Sequence, residues 1–276
     1  MKISKGPIVV PWDFTEEVEN ALKHAVNISS KMNTKEITLL HIVRKKKDLE
    51  HYKEKLRSIA EKRSEEYKIQ IKHEVIQGKL YTAIGRYVNN IEAELVVMGT
   101  HGIKGMQKVT GSRALKVIST SKIPFIVVKN PPKSKEYKKV VFPVDYKKKT
   151  KQKMGYTKYL NRLYNPKFLI FKPNYTDKGF IQKAKANLAF CRQFMEKHDL
   201  PYEMHLAEGK KSFSEELIDF SNKNNADLIL IVSAKHLTLT DYVAGPNEQY
   251  IIGNEEGIPV MVINPPKGLE KFKSFN

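Results

Sequence analysis

The sequence has little cysteine and no long apolar run, and each absence excludes a class of protein. One cysteine, Cys191, among 276 residues excludes an internal disulfide and a metal cluster built from cysteines. It shares one predicted helix face with four apolar residues, which are Ile181, Ala184, Leu188 and Met195. This stripe predicts a buried, unreactive thiol. The presence of only one cysteine in the sequence predicts a cytoplasmic protein. Because no eighteen apolar residues follow one another and Met1 leads directly into a strand-like segment, we expect neither a membrane span nor a secretory leader.

The common catalytic signatures are also missing. We find no Gly-x-x-x-x-Gly-Lys-Ser/Thr phosphate loop, no His-Glu-x-x-His metal site and no Gly-x-Ser-x-Gly nucleophile turn. The sequence therefore predicts a protein that is not a dedicated enzyme, with slow hydrolysis of a bound nucleotide left open.

Acidic residues are scarce beside basic ones: 30 Asp and Glu stand against 49 Lys and Arg, a net charge of +19. Such an excess favours contact with nucleic acid. However, lysines are spread along the whole chain and no recognisable nucleic-acid motif accompanies them. We therefore interpret the clusters as a solvated surface and keep nucleic-acid association as an alternative. The clusters are 44–47, 147–149 with Lys151 and Lys153, and 210–211.

The chain is a tandem repeat with an offset near 132 residues. Val9-Val10-Pro11-Trp12-Asp13 is echoed by Val141-Phe142-Pro143-Val144-Asp145, and both halves close with Ile-Pro, an apolar run and Asn-Pro-Pro. The repeat predicts two domains, 1–132 and 137–267, joined by the Pro- and Lys-rich linker 130–135.

Short apolar runs alternate with amphipathic ones in each half. In the first half, strands are predicted at 7–12, 36–43, 70–77, 94–99 and 124–129, and helices at 16–31, 48–67, 80–91 and 111–120. Five strands separated by four helices predict a doubly wound parallel α/β sheet in each domain. The last strands, 124–129 and 259–264, have no following helix to cover their edges, so we expect them to pair the two domains.

Ligand-type residues follow several of these strands in the first half. Asp13 follows the first strand, where its carboxylate can accept hydrogen bonds from a ribose or an adenine. Ile42 ends the second strand, where a flat base can lie. Glycines and a hydroxyl suited to phosphate follow the fourth strand, at Gly99, Gly102, Gly111 and Ser112.

Together these motifs resemble the universal stress protein family in its tandem two-domain form. The motifs are 10–15, 40–42, Gly78, 98–102 and the pair Gly111-Ser112. The resemblance implies two adenine nucleotide alpha hydrolase-like domains packed as a pseudo-dimer, with a further homodimer left open. It also implies ATP or AMP near Asp13 and Ile42, with Mg as a companion of ATP. Supporting positions are Thr15, Met98, His101 and Arg113, and His101 is expected to be the only histidine in the site.

Two departures from the family pattern bear on function. The loop from Ile103 to Thr110 has eight residues, whereas nine are usual in nucleotide-binding members of the family. In the second half, Val232 replaces the first glycine, Gly245-Pro246 replaces Gly111-Ser112, and Lys147 replaces Thr15. We therefore expect a nucleotide in the first domain only. The lysines of the second domain leave open the binding of another anion.

Three functional interpretations follow. The first is a stress-response protein in which ATP or AMP in the first domain controls assembly or the binding of a protein partner. The second is an interaction scaffold without nucleotide. The third is a basic protein that associates with nucleic acid.

Overall fold

The two halves of the chain repeat one series of strands and helices. The structure is a computed structural model that describes residues 6–32, 36–99, 111–233 and 246–264. The first half contains β1 (Ile8–Pro11), α1 (Glu17–Ser29), β2 (Glu36–Val43), α2 (Leu49–Tyr67), β3 (Gln70–Gln77), α3 (Leu80–Asn90), β4 (Leu95–Gly99), α4 (Gly111–Ile118) and β5 (Phe125–Val128). The second half contains β6 (Lys139–Pro143), α5 (Met154–Tyr164), β7 (Lys167–Lys172), α6 (Lys178–Lys197), β8 (Tyr202–Leu206), α7 (Phe213–Lys223), β9 (Leu228–Val232), α8 (Pro246–Ile252) and β10 (Val260–Ile263).

The strands form one sheet of ten, in the order β3-β2-β1-β4-β5-β10-β9-β6-β7-β8. Strands within a half are parallel, and β5 pairs with β10 in antiparallel fashion, with Met261 opposite Ile126. The predicted α/β fold is confirmed, and so is the pairing of the halves through their last strands. The predicted linker 130–135 lies between β5 and β6.

Alternating side chains of each strand bury into two cores, one on each face of the sheet. On β1, Ile8 and Val10 enter one core and Val9 enters the other, and none of the three is exposed. Each core draws residues from both halves, so the sheet and its two helical layers are continuous. Cys191 is buried as predicted, and burial raises the pKa of its thiol to about 11. None of the helices in the described ranges combines the length and the apolar character that a membrane span requires.

Buried polar contacts join the halves as well. The side-chain amide of Asn264, after β10, donates to the backbone carbonyls of Ile118 and Ser121 at 3.1 and 2.7 Å. Because Ile118 is the last residue of α4 and Ser121 lies just after it, a side chain of one half caps a helix of the other. The Tyr159 hydroxyl of α5 donates to the Glu94 carboxylate before β4 at 3.1 Å. The seam between the halves is therefore specified by hydrogen bonds in addition to apolar packing.

Candidate functional site

The order of the first-half strands reverses between β1 and β4, which lie side by side. In a doubly wound sheet, the connections leave such a pair in opposite directions and open a crevice at its carboxyl edge. Asp13 follows β1 at this point, and Gly99 ends β4. The structure thus brings together two of the predicted site residues that are 86 positions apart in sequence, by the difference of their numbers.

One oxygen of the Asp13 carboxylate is held by its own turn and the other is not. Oδ1 accepts hydrogen bonds from the amide of Thr15 at 3.1 Å and from the Thr15 hydroxyl at 2.7 Å. Oδ2 is shielded from solvent and has no hydrogen-bond partner in the described part of the chain. A buried carboxylate oxygen without a donor is costly, so this atom is an acceptor oriented by Thr15 and available to a ligand.

The turn that carries Asp13 is strained. Phe14 has φ of 65°, in the left-handed region that a bulky aromatic residue rarely adopts. Its ring packs edge-on against His41, with centroids 4.8 Å apart, and Lys55 lies 4.4 Å above it. Strain of this kind persists where the surrounding packing enforces it, and it concentrates at functional sites.

His41 lies beside the Asp13 turn, on the face of the sheet opposite to Ile42, whereas sequence reasoning placed only His101 in the site. Its Nδ1 lies 2.7 Å from the carbonyl oxygen of Trp12, and its ring lies 4.6 Å from that of Tyr52. Burial lowers the pKa of His41, and the hydrogen bond to the Trp12 carbonyl opposes that shift. The expectation that His101 is the only histidine in the site stays a prediction. The sequence signal for His41 was its position near the carboxyl end of β2.

Partly buried apolar side chains line the same edge. Ile42 and Met98, both predicted, pack against the core on the α3 and α4 side of the sheet, and Ile76 lies beside Ile42 in register. Their incomplete burial leaves apolar surface at the ends of β2, β3 and β4. Such a surface suits one face of a planar base. Ile76 was not predicted as a site residue, but it is the last apolar residue of the strand predicted at 70–77.

Gly99 and Gly78 lie where neighbouring elements pack too closely for a larger residue. A Cβ on Gly99 would lie 3.3 Å from the carbonyl oxygen of Glu17, so the first turn of α1 sits directly on the end of β4. A Cβ on Gly78 would lie 2.8 Å from the Cβ of Ala83 in α3. α4 begins at Gly111, as the predicted phosphate segment requires. His101 and Gly102 lie outside the described residues, and so do the side chains of Ser112 and Arg113.

The corresponding edge of the second half is built differently. Asp145 Oδ1 accepts the amide of Lys147 at 3.0 Å, so the turn survives while the threonine hydroxyl is replaced by an exposed lysine. The Lys153 ammonium donates to the backbone carbonyl of Pro143, at the end of β6. Val232, in place of Gly99, is buried at the end of β9.

The lysines of this edge are not uniformly solvated, which corrects the sequence interpretation for Lys153. Its side chain is 4% exposed, and its ammonium lies 5.8 Å from the centre of the Phe142 ring. A lysine stem packs well among apolar groups when its head finds a carbonyl. Lys151 is half-buried, with its ammonium 4.6 Å above Phe190. The lysine run therefore includes an internal packing residue.

Comparison with known proteins identifies the family that the first half resembles. Residues 6–129 match the model of the Universal stress protein family. A curated universal stress protein of Methanocaldococcus jannaschii is 29% identical over 143 residues, covering 46% of this chain and 83% of the relative. Residues 6–129 therefore form a universal stress protein domain, and the predicted resemblance is confirmed for this range.

Solved structures show the fold of both halves. The crystal structure of a universal stress protein from Archaeoglobus fulgidus matches with a TM-score of 0.73 at 16% identity, over 96% of this chain and 98% of that one. A functionally unknown protein from Pseudomonas aeruginosa matches with a TM-score of 0.65 at 15% identity, over 94% and 92% of the two chains. At these identities the likeness concerns the fold alone.

Proposed function

We propose that the first half of this chain binds one adenine nucleotide, ATP or AMP, at the carboxyl edge of β1, β2 and β4. In this proposal the base lies against Ile42, Ile76 and Met98, and the Asp13 carboxylate accepts a hydrogen bond from the ribose or the base amino group. The phosphates face the segment that leads into α4, whose first amides lack partners within the helix. Mg accompanies the phosphates when ATP is bound.

One observation carries the proposal: Asp13 Oδ2 is shielded from solvent yet has no donor among the described residues. A nucleotide supplies such a donor through a ribose hydroxyl or an exocyclic amine, while Thr15 keeps the carboxylate oriented. The position of Asp13 at the point where the strand order reverses supports the same conclusion. The membership of residues 6–129 in the universal stress protein family is consistent with it.

The second half takes no nucleotide in this manner. Its Asp145 turn has Lys147 where the first half has the Thr15 hydroxyl. At the end of β9, the buried side chain of Val232 occupies the place of Gly99. The proposed biological role is nucleotide-dependent assembly or partner binding in the stress response. We assign binding and no dedicated catalysis to the chain.

Isothermal titration of the full chain with ATP and with AMP tests the proposal. We expect one nucleotide per chain. Because a charge-assisted hydrogen bond is lost, Asp13→Asn should weaken binding at least about ten-fold, whereas the matched variant Asp145→Asn should leave it unchanged. A bulky residue at Gly102 should abolish binding. No heat with either nucleotide would favour the scaffold without ligand, and two sites per chain would refute the asymmetry.

A further inference from the structure

Three aromatic side chains meet at the carboxyl edge of the second half. Tyr146 follows β6, Tyr175 follows β7, and Phe180 lies in the first turn of α6. The rings of Tyr146 and Phe180 are stacked, with centroids 4.4 Å apart and planes 15° apart. Tyr175 lies 5.6 Å from Tyr146 and 5.8 Å from Phe180. Phe180 remains 39% exposed, so the cluster presents aromatic surface to solvent.

Two exposed lysines lie next to this cluster along the chain. Lys147 follows Tyr146, and Lys183 lies three residues after Phe180 in α6, a spacing that places the two side chains on one face of the helix. Within the described ranges, no salt bridge joins either lysine to a carboxylate. Two carboxylates of the same edge are engaged: Asp145 accepts the amide of Lys147, and Asp177 accepts the amide of Phe180 at 2.8 Å. We call these five residues, Tyr146, Tyr175, Phe180, Lys147 and Lys183, the aromatic–lysine surface.

The corresponding cluster of the first half is closed. There Phe14 packs against His41 and Tyr52, and the ammonium of Lys55 covers its ring at 4.4 Å. The second half instead leaves the Phe180 ring partly open, with Lys183 on the same helix face and Lys147 next to Tyr146 in sequence. Such an arrangement offers an aromatic surface for stacking and nearby positive charges for phosphates.

We propose that the aromatic–lysine surface binds single-stranded nucleic acid. Unpaired bases stack on aromatic rings whatever their sequence, and lysines along the path contact the phosphates. A duplex hides the faces of its bases, so the open ring favours a single strand. The net charge of +19 on the whole chain adds long-range attraction to a polyanion. This inference does not depend on nucleotide binding by the first half.

The test is fluorescence anisotropy of the full chain with a labelled oligothymidylate of about twenty nucleotides, from about 50 to about 200 mM salt. We expect measurable binding at low salt. Removal of the stacking ring in Phe180→Ala should weaken binding about ten-fold without changing the salt dependence, whereas Phe180→Tyr should bind like the unmodified protein. Loss of one phosphate contact in Lys183→Gln should lower the slope of log affinity against log salt by about 0.7.

Two matched controls separate this surface from general basicity. Tyr250→Ala removes another exposed ring, and Lys53→Gln removes a lysine exposed on α2. Both should bind like the unmodified protein, and circular dichroism verifies that every variant is folded. The proposal is overturned if no binding occurs at low salt, if the controls lose as much affinity as the variants, or if inorganic polyphosphate or a duplex competes as well as the single strand.

Discussion

The two halves share a scaffold and differ at the edge where ligands bind. Both arrange five parallel strands in one order, and both follow their first strand with an aspartate whose Oδ1 accepts the amide two residues later. Beyond that turn they diverge. The first half has a threonine hydroxyl, a glycine at the end of β4 and a carboxylate oxygen without a donor in the described part of the chain. The second half has lysines, a valine and a partly exposed aromatic ring.

This difference shows which residues preserve the fold and which determine the site. Strands β1 and β6 bury equivalent apolar runs, and the two cores cross the seam without interruption. The residues that follow the strands are free of that packing requirement, so they can change while the sheet remains. Four predictions, each with a pair of variants, test the scaffold and its two edges.

The largest expected effect concerns the end of β4. Gly99→Val gives the first half the residue that the second half has at the end of β9. Its side chain would collide with the first turn of α1, since even a Cβ lies 3.3 Å from the Glu17 carbonyl oxygen. We expect the free energy of unfolding in urea to fall by about 2 to 3 kcal/mol. Gly99→Ala should lower the free energy of unfolding by less than half as much. An unchanged urea midpoint for Gly99→Val would contradict the close packing of α1 on the end of β4.

The next effect concerns pH and the linker after β5. The His24 ring contacts the Asn130 carbonyl at 3.1 Å, and burial lowers the pKa of His24 to about 4. The unfolded state binds the proton of His24 more readily than the folded state does. The contribution of His24 to the free energy of unfolding is therefore fully present above about pH 6.5 and is lost as the pH falls toward 4. We expect the unmodified protein to lose about 2 kcal/mol between pH 7 and pH 5 from this group.

His24→Gln should abolish that part of the pH dependence in urea unfolding measured at both pH values. The exposed His51 is the matched control, and His51→Gln should retain it. Equal pH dependence in the unmodified protein and in His24→Gln would show that the burial of His24 does not govern this window.

A smaller effect concerns the seam between the halves. Tyr159→Phe removes the hydroxyl that donates to the buried Glu94 carboxylate, and we expect a loss of about 1.5 kcal/mol at neutral pH. Burial raises the pKa of Glu94, so its neutral form is favoured in the folded protein and stability falls as the pH rises through that raised value. The variant should therefore cost less at pH 4 than at pH 7. Tyr156→Phe, on the same helix, should cost less than about 0.5 kcal/mol.

The smallest effect distinguishes the two aspartate turns. Thr15→Val removes the 2.7 Å hydrogen bond that orients Asp13, and we expect nucleotide affinity in calorimetry to fall about five-fold, or about 1 kcal/mol. Lys147→Thr restores a hydroxyl residue beside Asp145 and should leave the stoichiometry at one. Equal affinity of Thr15→Val and the unmodified protein would show that Asp13 is positioned by other contacts.

The fold could be predicted because its signals are local and repeated. Strands β2 and β3 have the predicted bounds, 36–43 and 70–77, since each is a pattern of apolar residues that ends at charged or glycine residues. The pairing of β5 with β10 also followed from the sequence, because both strands lacked a covering helix. The positions of Asp13, Ile42 and Gly99 at one edge followed from the prediction of parallel strands, because each residue lies at or after the carboxyl end of its strand.

The chemistry of individual side chains was harder to predict. The Phe14 ring contacts His41 beside the Asp13 turn, and Phe14 has a left-handed backbone conformation there, which no sequence pattern signals for an aromatic residue. Lys153 is buried because the Pro143 carbonyl comes within its reach only once β6 and the turn after it are folded. Both depend on contacts formed in three dimensions, whereas composition shows only a histidine in a strand and a lysine in a lysine run.

The antiparallel pairing of β5 with β10 has one more consequence. In an assembly of two identical chains, every substitution occurs twice and must suit both copies. Here the two halves lie on one chain, so a substitution at Gly99 changes only the first half and a substitution at Tyr146 changes only the second half. The other half keeps its own residues in either case. Covalent linkage thus fixes the ratio of the two halves at one to one and allows each edge to acquire its own specialisation.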